Sequence, residues 1–302
     1  MTQVDYQNAV AAPALHFFDP DLATAEAVVR SSFGAPLPAT GHFANVYRMR
    51  HPDGREFAVR LFLQHDPDRS ARWQALSQHL ESLPVLPPAL VPFEFQESGG
   101  IVRGNRFPLV KMEWVCGTDL HHWVEANLYQ SNLLRELAQQ WKRTVADLFA
   151  ARLLHGDLQH GNILVEQVED NLPRLRLIDY DGTSVPATGG LPRREAGHPA
   201  YQHPALYWKN EENQKAFVDR FPALVIYTAL RVLATAPETW FRLDNGENLL
   251  FRREDFAAPE QSRAFAILRE ALRARPEEQR LVGLLQSACA LPPERVPLLA
   301  LL

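Results

Sequence analysis

The sequence predicts an α+β chain in which a small strand-rich N-terminal part precedes a larger helical C-terminal part. Three observations lead there. "FANVYRMR" (43–50) and "REFAVRLFL" (55–63) read as strands, and the "HPDG" between them carries Pro, Asp and Gly where a tight turn needs them. Residues 131–154, "SNLLRELAQQWKRTVADLFAARLL", space their apolar side chains as an amphipathic helix does. From Phe221 onward the pattern is helical, with Pro-rich breaks.

Each element follows in turn. Residues 1–38 form an N-terminal extension with one short helix expected to start at Asp19 or Asp21. After the first two strands, "DPDRSARWQALSQHLESLP" predicts a helix with Asp66 as its cap and Pro67 at its first position. Trp73, Leu76 and Leu80 share one of its faces, and "LPVLPP" stops it. Further strands are expected in "ALVPFEFQES", "IVRGNRF" and "PLVKMEWV", with Gly99-Gly100 as a turn between the first two. The character changes at Cys116-Gly117, which divides the chain into 1–38, a strand-rich 39–116 and a helical 117–302. "RLRLIDYDG" (174–182) is expected as a hairpin strand. "FPALVIYTALRVLATA" (221–236) is too short to span a bilayer, carries Arg231, and reads as a buried core helix.

Composition narrows the function classes. The chain has 302 residues, enough for two packed parts, and a formal net charge of −5 with no long basic run. That argues against nucleic acid or an anionic membrane as the main partner. Two cysteines, Cys116 and Cys289, stand far apart, which fits a reduced cytoplasmic setting better than a disulfide scaffold. "MTQVDYQNAV" has no basic segment followed by an apolar core, so no signal peptide is expected.

The stretch with the most chemistry in it is "LLHGDLQHGNILVE" (153–166). Asp157 and Asn162 lie on a glycine-bearing loop, and the apolar run Ile163-Leu164-Val165 behind them suits a buried strand. A loop pinned in this way can hold a hard cation and a reacting hydroxyl in fixed relation. His155 and His160 invite a ligand or base reading, but with distant cysteines a zinc site has little support, and a plain structural role is the expectation for both.

The order of "HGDLQHGN", "IDYDG" and "GHPAYQHP" resembles the protein kinase fold, and most closely a family of bacterial protein-kinase-like proteins that share these runs. The resemblance covers roughly residues 39 to 302 and implies a bilobal protein kinase-like fold. It implies that Asp157 accepts the hydroxyl proton, that Asn162 and Asp179 hold magnesium, and that ATP is the phosphoryl donor. It further implies a nucleotide site formed by Gly41 in the phosphate loop, Val46, Ala58 and Leu164 around the adenine, and Met112 behind it. Backbone groups of Glu113 and Val115 would meet the purine edge, Asp119 the ribose and Arg60 the phosphates. Asp219 would bind backbone N–H groups of the catalytic loop. Partners implied are a protein substrate or signalling partner, with a phosphatase and an adhesion-type domain protein in the same set.

Departures from the family pattern keep other readings open. Only Gly41 survives of the phosphate-loop glycines, with Ala39 and Ala44 in the other places. Arg60 replaces lysine, and its wider fork is not equivalent to an ammonium; Gln74 or Gln78 could accept a hydrogen bond from it. Gln159 stands where kinases acting on Ser or Thr carry lysine, which removes a charge from the transition state. Ala205 replaces a glutamate, and Arg295 lacks the partner that glutamate would be. Gly156 replaces the arginine that reads a phosphorylated activation segment, so no phosphate gating through Thr183, Ser184 or Thr188 is expected. The basic pair Arg193-Arg194 could recruit an acidic partner or simply be solvated. The leading expectation is a cytoplasmic, magnesium- and ATP-dependent protein kinase directed at Ser or Thr. The alternatives are a nucleotide-binding pseudokinase scaffold and a small-molecule phosphotransferase.

Overall fold

The computed structural model of the chain describes residues 1–41, 43–167, 172–191, 197–206 and 216–302. It divides into two compact units, one of Met1–Ser82 and Val91–Val115, the other of Leu83–Leu90 and Cys116–Leu302.

The first unit begins with α1 (Gln3–Ala11), α2 (Pro13–His16) and α3 (Pro20–Thr24). Thr2 and Asp5 cap each other's backbone at α1, and Asp19 caps α3 by accepting the Leu22 N–H at 3.0 Å. Strands β1 (Glu26–Ala27), β2 (Ala39–Thr40), β3 (Ala44–Arg50) and β4 (Glu56–Phe62) follow, then α4 (Arg69–Glu81), β5 (Phe93–Val102) and β6 (Asn105–Glu113). They make one antiparallel sheet in the order β1-β3-β4-β6-β5, with β2 also on β3. The strand alternation of the sequence is realised here: Tyr47, Met49, Phe57, Val59 and Leu61 are all buried on one face. Tyr6, Val10, Phe17 and Leu22 complete that core, so residues 1–38 are an integral layer of this unit and not an appended extension. The Tyr6 hydroxyl donates to the Phe62 carbonyl at 2.6 Å, which fixes α1 to the end of β4.

Three expectations need correction. Gly99 and Gly100 do not turn the chain. They lie inside β5, at a register shift between Gln96 and Gly100, and the turn comes later, at Arg103-Gly104, where both residues have positive φ. Their reason is close packing: a Cβ on Gly99 would lie 2.3 Å from the Leu109 side chain, and one on Gly100 2.6 Å from the His16 carbonyl. Helix α4 starts at Arg69, two residues late, because the Asp66 carboxylate accepts the Asp68 N–H at 3.0 Å and closes a turn before the helix. The strand expected over 174–182 ends at Leu177, because Asp179 adopts φ 63°, which no strand accommodates.

The second unit contains β7 (Thr118–Asp119), α5 (Leu120–Ala126), α6 (Ser131–Ala150), β8 (Ile163–Gln167) and β9 (Pro173–Leu177), then α7 (Arg220–Leu233), α8 (Trp240–Leu243), α9 (Arg253–Ala257), α10 (Arg263–Ala271) and α11 (Pro276–Ala288). Helix α6 stops short of the expected Leu154, because Arg152 takes φ 53° just beyond its end. Helix α7 is buried along nearly its whole length, as its apolar sequence requires, and Trp141 of α6 donates its indole N–H to the Ala223 carbonyl at 3.0 Å. In the small sheet β7-β8-β9, β7 precedes α6 and β8 and β9 lie between α6 and α7, with the polar loop leading from α6 into β8. No helix is long and apolar enough to cross a membrane among the described residues.

Candidate functional site

The loop between α6 and β8 is held from several directions. Leu154 and Ser184 exchange backbone hydrogen bonds at 2.9 and 2.8 Å, so the loop begins as a short bridge to the segment after β9. The Asp219 carboxylate accepts the backbone N–H groups of His155 at 2.6 Å and Gly156 at 2.9 Å. Asp219 immediately precedes α7 yet makes no side-chain cap to it; its oxygens serve the loop instead. His155 is fully buried, and its Nε2 reaches the Ile178 carbonyl at 3.0 Å, a structural role of the kind expected of it. Gly156 has φ 83°, and a Cβ there would lie 2.3 Å from the Gly182 carbonyl oxygen. Any side chain at that position, arginine included, is excluded by the backbone.

Asp157 and Asn162 are joined directly. The Asn162 amide donates through Nδ2 to the Asp157 carbonyl and to its Oδ2, both at 2.9 Å. The other carboxylate oxygen of Asp157 accepts the His198 N–H at 2.8 Å. With Nδ2 used on Asp157, the Asn162 Oδ1 is the atom left to face a cation. Asn162 closes the short helical turn His160–Asn162, and the Gln159 side chain caps that turn by accepting the Gly161 N–H at 2.7 Å. The neutral Gln159 side chain is thus occupied locally.

Asp179 arrives from the other strand of the hairpin. Ile163 pairs with Leu177, and the Ile178 N–H donates to the Asn162 carbonyl at 3.0 Å. Asp179 therefore follows a residue bonded to Asn162, and its positive φ turns the chain away from the strand direction at that point. The three side chains Asp157, Asn162 and Asp179 sit at one end of the β8–β9 hairpin, all oxygen donors.

The remaining residues implied by the kinase resemblance fall into two groups. In the first unit, Val46 pairs with Arg60 and Ala58 with Met112, so the period-two alternation places all four on one face of the sheet. That face is opposite the buried row of Tyr47, Val59 and Leu61. Gly41 lies in the tight connection from β2 to β3, its N–H bonded to the Ala44 carbonyl at 2.9 Å. Glu113 ends β6 and is exposed, while Val115 is buried. Gln74 and Gln78 are exposed on α4, and Gln74 donates to Glu97 at 3.5 Å. In the second unit, Asp119 pairs with Leu164 across β7 and β8. The Asp119 carboxylate caps α5 and contacts the His122 ring. Burial pushes its carboxyl up, but the His122 backbone N–H and ring outweigh this and hold it below the usual Asp range.

A ring of aromatic and imidazole groups beside the loop was not expected from the sequence. His160 Nδ1 lies 2.8 Å from the Tyr201 hydroxyl, and the rings of His121 and His198 flank it at 5.7 and 5.6 Å. Burial, with the neighbouring His198 and His121, pushes His160 down to about 4, so it is neutral near pH 7. These contacts tie 197–206 to the loop, and only the doubled histidine of "QHGN" and "GHP" hints at them in the sequence. Thr183 and Thr188 are buried, and the Ser184 hydroxyl lies 3.2 Å from that of Thr188. The pair Arg193-Arg194 lies outside the described residues.

The model of the lipopolysaccharide kinase (Kdo/WaaP) family matches residues 65–188, a span that includes Asp157, Asn162 and Asp179. No curated protein matches the chain. Among solved structures, the crystal structure of Rad53 1-466 in complex with AMP-PNP is similar, with 17% sequence identity, a TM-score of 0.58 and 92% of this chain covered. The chain spans 63% of that structure's length, less than two thirds. At that identity the likeness shows the fold alone: with the antiparallel sheet of the first unit and the helices of the second, the chain has an α+β, bilobal protein kinase-like fold.

Proposed function

We propose that the chain is a kinase that moves the terminal phosphoryl group of ATP to a hydroxyl, with Asp157 as the group that orients and deprotonates that hydroxyl. The observation that carries this reading is the direct bond between the Asn162 amide and the Asp157 carboxylate at 2.9 Å, at the hairpin end that also presents Asp179. Phosphoryl transfer asks chiefly for positioning and charge neutralisation. A fixed Asp157 supplies the first. Asn162 Oδ1 and the Asp179 carboxylate form an all-oxygen donor set that suits magnesium. When bound, magnesium would neutralise charge on the phosphate oxygens.

The nucleotide contacts belong to the same proposal. In the first unit they are Gly41, Val46, Ala58, Arg60, Met112, Glu113 and Val115; in the second, Asp119 and Leu164. The acceptor is proposed to be a Ser or Thr hydroxyl of a protein partner in a cytoplasmic signalling set. What supports a protein acceptor is the segment 197–206: it donates the His198 N–H to Asp157 and anchors Tyr201 on His160, as the closing part of a protein kinase activation segment would. A sugar hydroxyl is the second reading, favoured by the family match over 65–188.

The test is transfer from γ-labelled ATP with magnesium to a protein acceptor set and, in parallel, to lipopolysaccharide, with Asp157→Ala as control. Label on protein that falls at least about a hundredfold in the control supports the first reading. Label confined to the saccharide moves the assignment to the second. Label on neither, or label unchanged by Asp157→Ala, sinks the kinase proposal and leaves a scaffold, consistent with Arg60 and Gln159 standing where kinases carry lysine.

A further inference from the structure

Asp119, His121 and His122 each bring one ligand-capable atom within 4.8 Å of the other two. The fold creates this proximity. Asp119 ends β7 and turns its carboxylate onto α5, where Oδ2 lies 2.6 Å from His122 Nδ1. His121 is buried against Trp240, and Asp244 Oδ1 sits 2.7 Å from its Nε2. With Nε2 engaged by that carboxylate, Nδ1 is the ring nitrogen available to another partner. Among the described residues no hydrogen bond is made to that Nδ1. A carboxylate behind an imidazole is the arrangement that orients metal-binding histidines and raises their basicity.

We propose that Asp119, His121 and His122 bind one borderline divalent cation of the zinc class through a carboxylate oxygen and two imidazole nitrogens, with Asp244 as the supporting carboxylate. Two nitrogens and one oxygen suit zinc and its neighbours and leave a fourth position for water or an exogenous ligand. Magnesium, which takes oxygen donors at short octahedral distances, gains little from this set. The three ligand atoms, within 4.8 Å of one another, must draw together on binding to reach bond lengths of about 2.0–2.2 Å. The site uses neither Asn162 nor Asp179 and stands whether or not the chain transfers phosphate. If the nucleotide reading of Asp119 also holds, the ion and a ribose hydroxyl compete for its oxygens.

The experiment titrates the full chain with zinc against a chromogenic chelator, and separately with cobalt(II) read by its visible absorption. The expected result is one ion per chain, tetrahedral cobalt bands, and no displacement by millimolar magnesium. His122→Ala, at an exposed position, should weaken zinc at least tenfold and abolish the bands, and Asp244→Asn should weaken it by a similar factor. Asp119→Asn provides an independent second ligand variant. Absence of zinc uptake by the wild-type chain overturns the proposal, and so does uptake that neither His122→Ala nor Asp119→Asn reduces.

Discussion

Gly156 shows how one backbone angle can decide which residue a position accepts. It precedes Asp157 with φ 83°, and the Gly182 carbonyl oxygen lies 2.3 Å from where a Cβ would stand. Left-handed backbone costs a non-glycine residue about 1–2 kcal/mol before any clash is counted. Gly156→Ala is expected to lower unfolding free energy by more than about 2 kcal/mol, since the Gly182 carbonyl is backbone and cannot rotate away. Urea denaturation of the variant checks this; an unchanged midpoint would mean that the loop relaxes freely. Asp219 bears on the same loop. The sequence suggested its role, and the structure shows both carboxylate oxygens on the N–H groups of His155 and Gly156.

At the scale of elements, strand β5 carries the clearest lesson. A Gly-Gly pair between apolar runs signals a turn when read locally. The pair is instead a place where the neighbouring strand and the end of α2 come close, with Leu109, Phe107 and the His16 carbonyl filling the space of the missing side chains. Gly99→Ala overpacks this contact and should cost roughly 1–3 kcal/mol, read as a fall in melting temperature. Alanine at the exposed Gly54, whose φ is 93° but which has nothing near its Cβ position, separates backbone strain from crowding. The β8–β9 hairpin teaches the opposite. Its apolar run, its flanking polar residues and its place in the chain were all legible, because a buried strand announces itself in three or four consecutive residues. Only its end was misplaced, by the φ of Asp179.

For the whole molecule, the N-terminal segment sets a pH limit. Burial pushes the Tyr6 hydroxyl up to about 12, while in the unfolded chain it ionises near the ordinary 10. The folded state holds its proton more tightly, so this contribution is fully present below pH 10 and is lost as pH rises toward 12. A shift of that size corresponds to on the order of 2–3 kcal/mol. Tyr6→Phe should flatten the alkaline limb of the stability curve between those pH values, at the cost of the bond to Phe62. Melting temperatures measured across pH 9–12 decide it, and parallel curves for the two chains would show that the segment does not stay folded on the sheet.

The sequence by itself determined that a strand-rich part precedes a mainly helical one, and that the polar loop ends at a buried strand. It could do so because hydrophobic periodicity and turn chemistry act over a few neighbouring residues. It also brought Asp157 and Asn162 into one short loop, where five residues of chain leave little freedom. What only the tertiary structure decided depends on residues far apart in the chain. Residues 1–38 contribute to the core because Tyr6, Phe17 and Leu22 join one cluster with Tyr47 and Phe107, an association no local pattern encodes. His121 became a candidate ligand because Asp244, 123 residues later, folds back onto its Nε2. Local preference is weak, and long-range packing outweighs it wherever a close approach or a buried charge must be satisfied.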